Sequence, residues 1–474
     1  MLFNSFEFFL FLPLVFGLYW FVFQHKLRAQ NLLILLASYF FYGWWSWAFT
    51  GLLLLSTILD YAYGFGVASS DRKKAKLFLW LSIINNLGIL GVFKYYNFFA
   101  VQFQQGFELL GIHSNPTLLN LALPIGISFY TFHGMSYVLD IYRGQQKPVR
   151  NFVDYAVFVS FFPLLVAGPI ERASHLLPQV QKVRSFRYAQ ALDGLRLILW
   201  GLFKKVVIAD GIAQLIDPVF THYTDYNSAT LILAAIGFSF QIYGDFSGYS
   251  DIALGTAKLF GFELLSNFRF PYFARDIAEF WRRWHISLSS WFKDYLYIPL
   301  GGSKNGQNKA IRNTFIIFLV SGFWHGASWN FIVWGFLHAC AFLPLLLTKR
   351  NRKYSQEIVA SDARFPSAKE LLLMLGTFAF VTFAWIFFRA DTLQNAFGFI
   401  EGLFSNWGES TTLKPNYILF LILILLLIDW YLRRDERSLK VPANRLLRYA
   451  IYLSLTFAVL FHMDGEQSFI YFQF

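Results

Sequence analysis

Long runs of apolar residues alternate with short polar loops along almost the whole chain. The clearest runs cover residues 8–23, 32–42, 77–92, 371–388, 417–430 and 449–461. A helix that crosses the hydrocarbon core of a bilayer needs about 20 predominantly apolar residues. The pattern therefore predicts an all-α polytopic membrane protein with about ten to twelve transmembrane helices.

Composition and the placement of charge agree with a membrane protein. Charged residues make up 14% of the 474 residues and hydrophobic residues 56%, whereas soluble domains carry roughly 25% charged residues. The net charge of +12 would suggest nucleic acid in a soluble protein. Here the Lys and Arg residues cluster in loops between apolar runs, near positions 26–28, 72–76, 143–150, 349–353 and 433–440. Because cytoplasmic loops are enriched in Lys and Arg, this charge indicates topology and not a nucleic-acid partner.

The middle of the chain differs from its two ends. Glycine and proline interrupt the apolar runs at "LALPIGISFYTFHG", "FVSFFPLLVAGPIER" and "FSFQIYGDFSGYSDIALG". Irregular backbone at membrane depth is tolerated only where protein or a water-filled cavity covers it. We therefore predict one membrane-embedded domain, 1–474, in which N-terminal spans (1–120) and C-terminal spans (346–474) flank a core of broken helices (121–345).

Residues 314–347 contain no Asp, Glu, Lys or Arg, yet they include His325 and His338. One straight helix over these residues would measure about 51 Å, more than the roughly 30 Å hydrocarbon core. A break is therefore predicted at Gly322 and Gly326, beside His325. A buried ionisable side chain in a membrane is a functional candidate, and histidine suits a general base. The alternative is a core histidine bonded to a carbonyl, the interpretation favoured for His338, which has no surrounding motif.

A second histidine, His285, lies in "FWRRWHISLSSW". If this stretch is one helix, its neighbours on the same face are Arg282 and Ser289. The structural alternative is an interfacial belt of tryptophans with a snorkelling arginine.

Two carboxylates, Asp245 and Asp251, lie in the apolar stretch "YGDFSGYSDIA". Either could orient a histidine or coordinate a cation, but helix capping and interhelical hydrogen bonding are the favoured interpretation. No metal site is predicted, because no histidine pair has helical ligand spacing and there is no cysteine cluster.

Two tryptophan–histidine blocks carry a family resemblance. The stretch "FWRRWHISLSSWFKDYLYIPLGG", followed by "SGFWHGASWNFIVWG", resembles the membrane-bound O-acyltransferase family, and most of all its bacterial branch that O-acetylates exopolysaccharides such as alginate. The opening "MLFNSFEFFLFL", the block "DFSGYSDIA" and the closing "FIYFQF" resemble that branch as well. The resemblance implies tilted helices, with re-entrant and interfacial helices, around a central tunnel.

The resemblance also implies the roles of individual residues. The family's near-invariant histidine would be His325, and its second polar active-site position would be His285. We expect His325 to act as the general base that deprotonates the acceptor hydroxyl, with a covalent acyl-histidine as the alternative. Substrate-binding positions are predicted at Trp324, Asn330, Arg282, Ser321, Asp245 and Asp251. Of these, Asn330 could polarise the acyl carbonyl and Arg282 could attract the phosphates of the donor.

The expected co-substrate is acetyl-CoA or another acyl thioester, with no bound cofactor. Family analogy implies a polysaccharide acceptor, periplasmic acetyltransferase partners and a place among the lipids of the bacterial cytoplasmic membrane. Two alternatives within the enzyme class are peptidoglycan O-acetylation and D-alanyl transfer to teichoic acid. A transporter or flippase is the alternative from another class, although the chain has no evident inverted repeat.

Overall fold

A computed structural model describes residues 1–113, 115–166, 168–304, 306–355, 357–408, 413, 415–435, 439–463 and 469–470. Regular secondary structure in this part of the chain is entirely helical. The last four residues of the "FIYFQF" motif lie outside the described residues.

The helices are numbered in chain order. Those before residue 200 are α1 (Phe6–Gly17), α2 (Leu27–Gly43), α3 (Trp47–Val67), α4 (Arg72–Leu90), α5 (Tyr96–Leu109), α6 (Ile127–Tyr142), α7 (Phe152–Ser160), α8 (Phe162–Leu165), α9 (Ala173–Val180) and α10 (Tyr188–Leu202). The others are α11 (Asp210–Thr221), α12 (Ser228–Leu259), α13 (Ile277–Arg283), α14 (Ile286–Phe292), α15 (Gln307–His325), α16 (Trp329–Leu347), α17 (Ala368–Arg389), α18 (Leu393–Ser405), α19 (Pro415–Leu432) and α20 (Arg445–His462). Short π-helical segments cover Leu18–Val22, Gly91–Tyr95, Phe203–Ala209 and Lys293–Tyr297.

Six helical stretches among the described residues are long and apolar enough to cross a membrane. They are Trp47–Val67, Arg72–Leu109, Ser228–Leu259, Trp329–Leu347, Ala368–Arg389 and Pro415–Leu432. Shorter apolar helices, such as Phe6–Val22 and Phe152–Leu165, accompany them. The predicted all-α polytopic class is confirmed, while the predicted total of ten to twelve spans stays a prediction.

The chain forms two compact units. The first comprises Met1–Ala191 and Ala257–Leu264, and the second comprises Leu192–Thr256 and Leu265–Phe474. In the first unit α3, α4 and α6 pack together around the buried carboxylate of Asp60. Ser82 Oγ and Asn86 Nδ2 each donate to Asp60 Oδ1 at 2.8 Å. These bonds satisfy a carboxylate that would be costly to bury alone.

Unit 2 contains every residue that the sequence singled out for chemistry. Its longest helix, α12, passes very close to α10, because a Cβ at Gly201 would lie 2.5 Å from Gly248 O. One at Gly255 would lie 2.4 Å from Gly194 O. Small residues let helix backbones approach in this way inside a membrane.

The predicted break in the uncharged segment 314–347 is confirmed, with one correction to its position. Helix α15 ends at His325 and α16 begins at Trp329. Gly326 is extended (φ −165°, ψ 152°), so the chain turns there. Gly322 was wrongly expected to break the helix. Gly322 lies within α15, and its missing side chain lets α16 pack against the helix there.

Candidate active site

His325 is the last residue of α15 and is 4% exposed. The break that follows is shaped locally by Gly326 and by Ser328, whose side chain caps α16 by accepting from Asn330 N. Ser321 lies one turn before His325 and is also buried. The local sequence therefore places the His325 imidazole at the end of a helix, inside the protein.

Glycines fix the hairpin of α15 and α16 that carries His325. A Cβ added at Gly322 would lie 2.1 Å from Phe331 O, and one at Gly335 would lie 2.3 Å from Phe318 O. At Gly326 a Cβ would collide with the Phe331 ring at 2.1 Å. The two helices can approach this closely only because these positions have no side chain.

His285 does not lie within a helix, contrary to the single helix considered for its block. It lies between α13 and α14 in the left-handed region, at φ 42° and ψ 55°. This conformation is uncommon for a residue with a side chain and persists only where the surroundings hold it. The predicted shared face with Arg282 and Ser289 is therefore wrong, because the helix stops at Arg283.

Asn267 holds the link that contains His285. Its carbonyl accepts from Ile286 N at 2.9 Å, and its Oδ1 accepts from Ser287 Oγ at 2.6 Å. Its Nδ2 donates to Ser250 Oγ on α12 at 2.9 Å. One buried amide thus connects the histidine link with the "DFSGYSDIA" block.

The fold brings both histidines against one tryptophan, Trp324. The ring centroids of His285 and Trp324 are 6.0 Å apart, and those of Trp324 and His325 are 4.9 Å apart. The His325 ring also contacts Trp334 at 5.1 Å and Phe388 at 5.2 Å, in both cases edge to face. Both imidazoles therefore lie among aromatic rings, in surroundings that exclude most bulk water.

Burial sets the protonation of His285. Desolvation lowers the pKa of this fully buried imidazole to about 3. A neutral ring can donate one hydrogen bond and accept another. His285 therefore enters any reaction near neutral pH as an uncharged polar group.

Asp245 and Asp251 are bound to lysines. Lys205 Nζ lies 2.7 Å from Asp245 Oδ1, and Lys204 Nζ lies 2.7 Å from Asp251 Oδ2. Ile470 N also donates to Asp245 Oδ2 at 2.7 Å. Both aspartates lie within α12 and form ion pairs, whereas the sequence favoured helix capping and interhelical hydrogen bonding; their role stays a prediction.

A small cavity of about 30 Å³ lies beside the Lys204–Asp251 pair. Its wall includes Tyr243 and Phe268, and both rings contact Trp284, the residue before His285, at 6.2 and 5.1 Å. Two aromatic rings that line this cavity therefore also contact the segment that contains His285.

Two predicted substrate-binding residues already make protein contacts. Asn330 Nδ2 donates to Ala390 O at 2.5 Å, which ties α16 to the end of α17. Arg282 NH1 donates to Asn351 O at 2.8 Å. Its Nε and NH2 atoms are buried and have no hydrogen-bond partner among the described residues.

Several residues around the histidines carry no sequence signal strong enough to single them out. Asn267 lies in "LLSNFRF", an ordinary loop pattern, and Trp334 and Phe388 lie in plain apolar runs. Lys204 and Lys205 were overlooked, although two lysines inside an apolar stretch are a detectable sign of buried ion pairs.

These features define a multi-pass helical membrane protein with two buried histidines at helix breaks in one unit. Residues 32–384 match the membrane-bound O-acyltransferase (MBOAT) family. The chain belongs to this family and is an O-acyltransferase, which confirms the predicted enzyme class. Such an enzyme requires an acyl donor as co-substrate.

Individual relatives extend the similarity along the chain. A probable alginate O-acetylase of Azotobacter vinelandii is 38% identical over 88% of this chain and 81% of its own length. A probable alginate O-acetylase of Pseudomonas putida is 35% identical over 98% of both chains. A peptidoglycan O-acetyltransferase of Helicobacter pylori is 37% identical over 80% of this chain and 75% of its own.

Proposed function

We propose that the chain moves an acetyl group from cytoplasmic acetyl-CoA to or across the bacterial cytoplasmic membrane, for O-acetylation of an exopolysaccharide such as alginate. The observation that carries this proposal is the pair His285 and His325, which are buried at two helix breaks and both contact Trp324. Similarity to probable alginate O-acetylases supports the acetyl group and the polysaccharide. The whole chain acts as one acyltransferase domain.

His325 is the general base in this proposal. Its neutral imidazole takes the proton of the acceptor hydroxyl as the hydroxyl oxygen attacks the thioester carbonyl carbon. The carbon–sulfur bond then breaks, and the thiolate leaves with the proton that His325 carried. In the alternative, the imidazole itself is acetylated and then passes the group to the hydroxyl.

His285 is the polarising group. Because its ring is neutral near pH 7, its N–H can donate to the oxygen of the thioester carbonyl as negative charge develops there. Trp324 contacts both imidazoles and would form the wall against which the acyl group lies. Ser321, one turn before His325 on α15, and Asn330, at the start of α16, are the other proposed substrate-binding positions.

Arg282 is proposed to contact the donor's phosphates. Its Nε and NH2 atoms are buried without acceptors among the described residues, and a phosphate oxygen would supply one.

Asp245 and Asp251 act at a distance, because their ion pairs with lysines fix α12 against the segment after α10. The acceptor side would be served by periplasmic acetyltransferase partners.

Peptidoglycan O-acetylation is the second candidate. The similarity to a peptidoglycan O-acetyltransferase is nearly as high as that to the alginate enzymes, at 37% over 407 residues. Both functions require the same acetyl donor and the same histidines, so they differ only in acceptor. D-alanyl transfer and transport are retained as outcomes of the test below.

The test measures the release and transfer of labelled acetyl from acetyl-CoA by the purified protein in nanodiscs. We expect His325→Ala to reduce turnover about 10²–10⁴-fold, the range typical of a lost general base. His285→Ala should reduce kcat less, because a neutral donor is lost and the base remains. His113→Ala, at an exposed histidine, is the matched control and should match the wild type.

Each outcome separates the alternatives. Folded wild type with no thioester turnover, even with partner acetyltransferases added, would favour a transporter. Turnover only with a carrier-bound D-alanyl thioester would favour teichoic acid. Label on alginate or on peptidoglycan fragments would identify the acceptor, and an acid-labile acetyl group on His325 would favour the covalent route.

A further inference from the structure

No sequence motif surrounds His338, yet its surroundings in the fold are unusual. It lies on α16, 0% exposed, in a box of aromatic rings. Its ring is nearly parallel to those of Phe280 and Phe318, at 8° and 16°, and edge-on to Trp334 at 4.9 Å. A phenyl ring could fill the same space.

A hydrogen bond distinguishes this imidazole from a phenyl ring. Trp281 Nε1 lies 3.3 Å from His338 Nδ1. An indole N–H can only donate, so Nδ1 accepts and the neutral ring carries its proton on Nε2. Nε2 is buried and has no hydrogen-bond partner among the described residues. Since a buried donor without an acceptor is destabilising, packing alone does not explain why histidine occupies this position.

This hydrogen bond joins the first histidine block, which contains Trp281, to the helix that continues beyond the second block, where His338 follows three residues after Gly335. Trp281 lies on α13, four residues before His285, and Trp334 lies on α16 against His325. Trp334 also contacts Trp281 at 5.6 Å, so the two indoles and His338 form a closed triangle of contacts. The other contacts described here between α13 and α16 are ring contacts without a hydrogen bond.

We propose that His338 is a positioning residue for the acyl transfer, an inference that rests on the proposed function. Its Nδ1 fixes the plane of the Trp281 indole, and through Trp281 and Trp334 it sets how His285 and His325 are placed relative to each other. The hydrogen bond adds a directional restraint to these ring contacts. Trp334 contacts both the His338 ring and the His325 ring, so the effect of His338 on the proposed base is indirect.

The test compares variants that keep the ring with variants that keep the acceptor. His338→Phe retains an aromatic ring but cannot accept from Trp281, whereas His338→Asn retains an acceptor oxygen near the Nδ1 position. Trp281→Phe removes the donor instead. We expect His338→Phe to lower kcat about tenfold per folded molecule, with KM for acetyl-CoA changed less than about twofold.

Two further expectations separate positioning from stability. His338→Asn should recover kcat to within about threefold of the wild type, even though its packing is worse. The double variant His338→Phe/Trp281→Phe should be no slower than the slower single variant, because both remove the same bond. Phe336→Leu, on the exposed side of the same helix, is the control and should leave kcat unchanged.

The proposal is overturned if His338→Phe keeps the wild-type kcat per folded molecule. It is also overturned if His338→Asn is as slow as His338→Phe. The same holds if the losses of kcat in His338→Phe and Trp281→Phe add up in the double variant. Failure of the proposed function looks different. In that case the wild type itself shows no acetyl turnover, so His325→Ala cannot reduce it.

Discussion

The two candidate catalytic histidines lie at breaks between helices, but different forces hold the two breaks. His325 ends α15, and its position depends on glycines that let α15 and α16 touch backbone to backbone. His285 lies in a left-handed link, and its position depends on the hydrogen bonds that Ile286 N and Ser287 Oγ donate to Asn267. The first support is steric and the second is polar.

The difference has consequences for tolerance to change. The steric support tolerates no added side chain. A Cβ at Gly322 would lie 2.1 Å from Phe331 O and would force the backbone to move. The polar support at His285 weakens gradually, because each hydrogen bond can be lost separately at a modest cost in stability. The proposed general base therefore lies on the break that tolerates substitution less well.

The largest effect is expected from Gly322→Val. Its side chain would collide with Phe331 O, the helix pair would separate, and we expect destabilisation of about 3 kcal/mol or more. The measurement is the fraction of monodisperse protein in detergent, together with acetyl turnover. Gly376→Val, at a helical glycine with open space around its Cβ, is the control. Equal yields of the two variants would contradict steric support of His325.

An intermediate effect is expected from Asn267→Ala. The change leaves the buried hydroxyls of Ser287 and Ser250 without this partner, at a cost of about 1–3 kcal/mol, and loosens the His285 link. We expect kcat to fall about tenfold while the protein remains folded.

The control for Asn267 is Asn97→Ala. Asn97 also makes two side-chain hydrogen bonds, both to Leu119, but it is exposed. Its loss should leave kcat at the wild-type level. If Asn267→Ala behaves in the same way, the polar link does not position His285.

The smallest effect is a pH dependence of stability. Burial lowers the pKa of His285 to about 3, while an unfolded histidine titrates near 6.5. Between these values the unfolded chain binds a proton that the folded chain does not, so stability falls as the pH falls. From pH 6.5 to 5 the wild type should lose about 2 kcal/mol more than His285→Asn, whose side chain tolerates the left-handed region.

Thermal unfolding of both proteins at the two pH values checks this expectation. His113→Asn, at an exposed position, should keep the wild-type slope. Parallel slopes for the wild type and His285→Asn would mean that the imidazole is hydrated and that the proposed dry surroundings of His285 are wrong.

The sequence by itself determined the class of protein and the place of His325. Apolar runs of membrane length require helices, and 34 uncharged residues cannot form one straight span, so length requires a break in this segment. The glycines on either side of His325 placed that break beside it. The paired tryptophan–histidine blocks identified the family. The roles of the site residues and the three-part division of the chain stay predictions.

Only the tertiary structure decided how these parts meet. The left-handed link at His285 depends on Asn267, and Lys204 pairs with Asp251 although 47 positions separate them. The glycine at position 322 is a helix contact and not a break, which depends on where Phe331 lies. Periodicity and spacing report which face of one helix is apolar. Which side chains meet across helices is set by packing, because contacts between distant segments depend on the simultaneous fit of many neighbours.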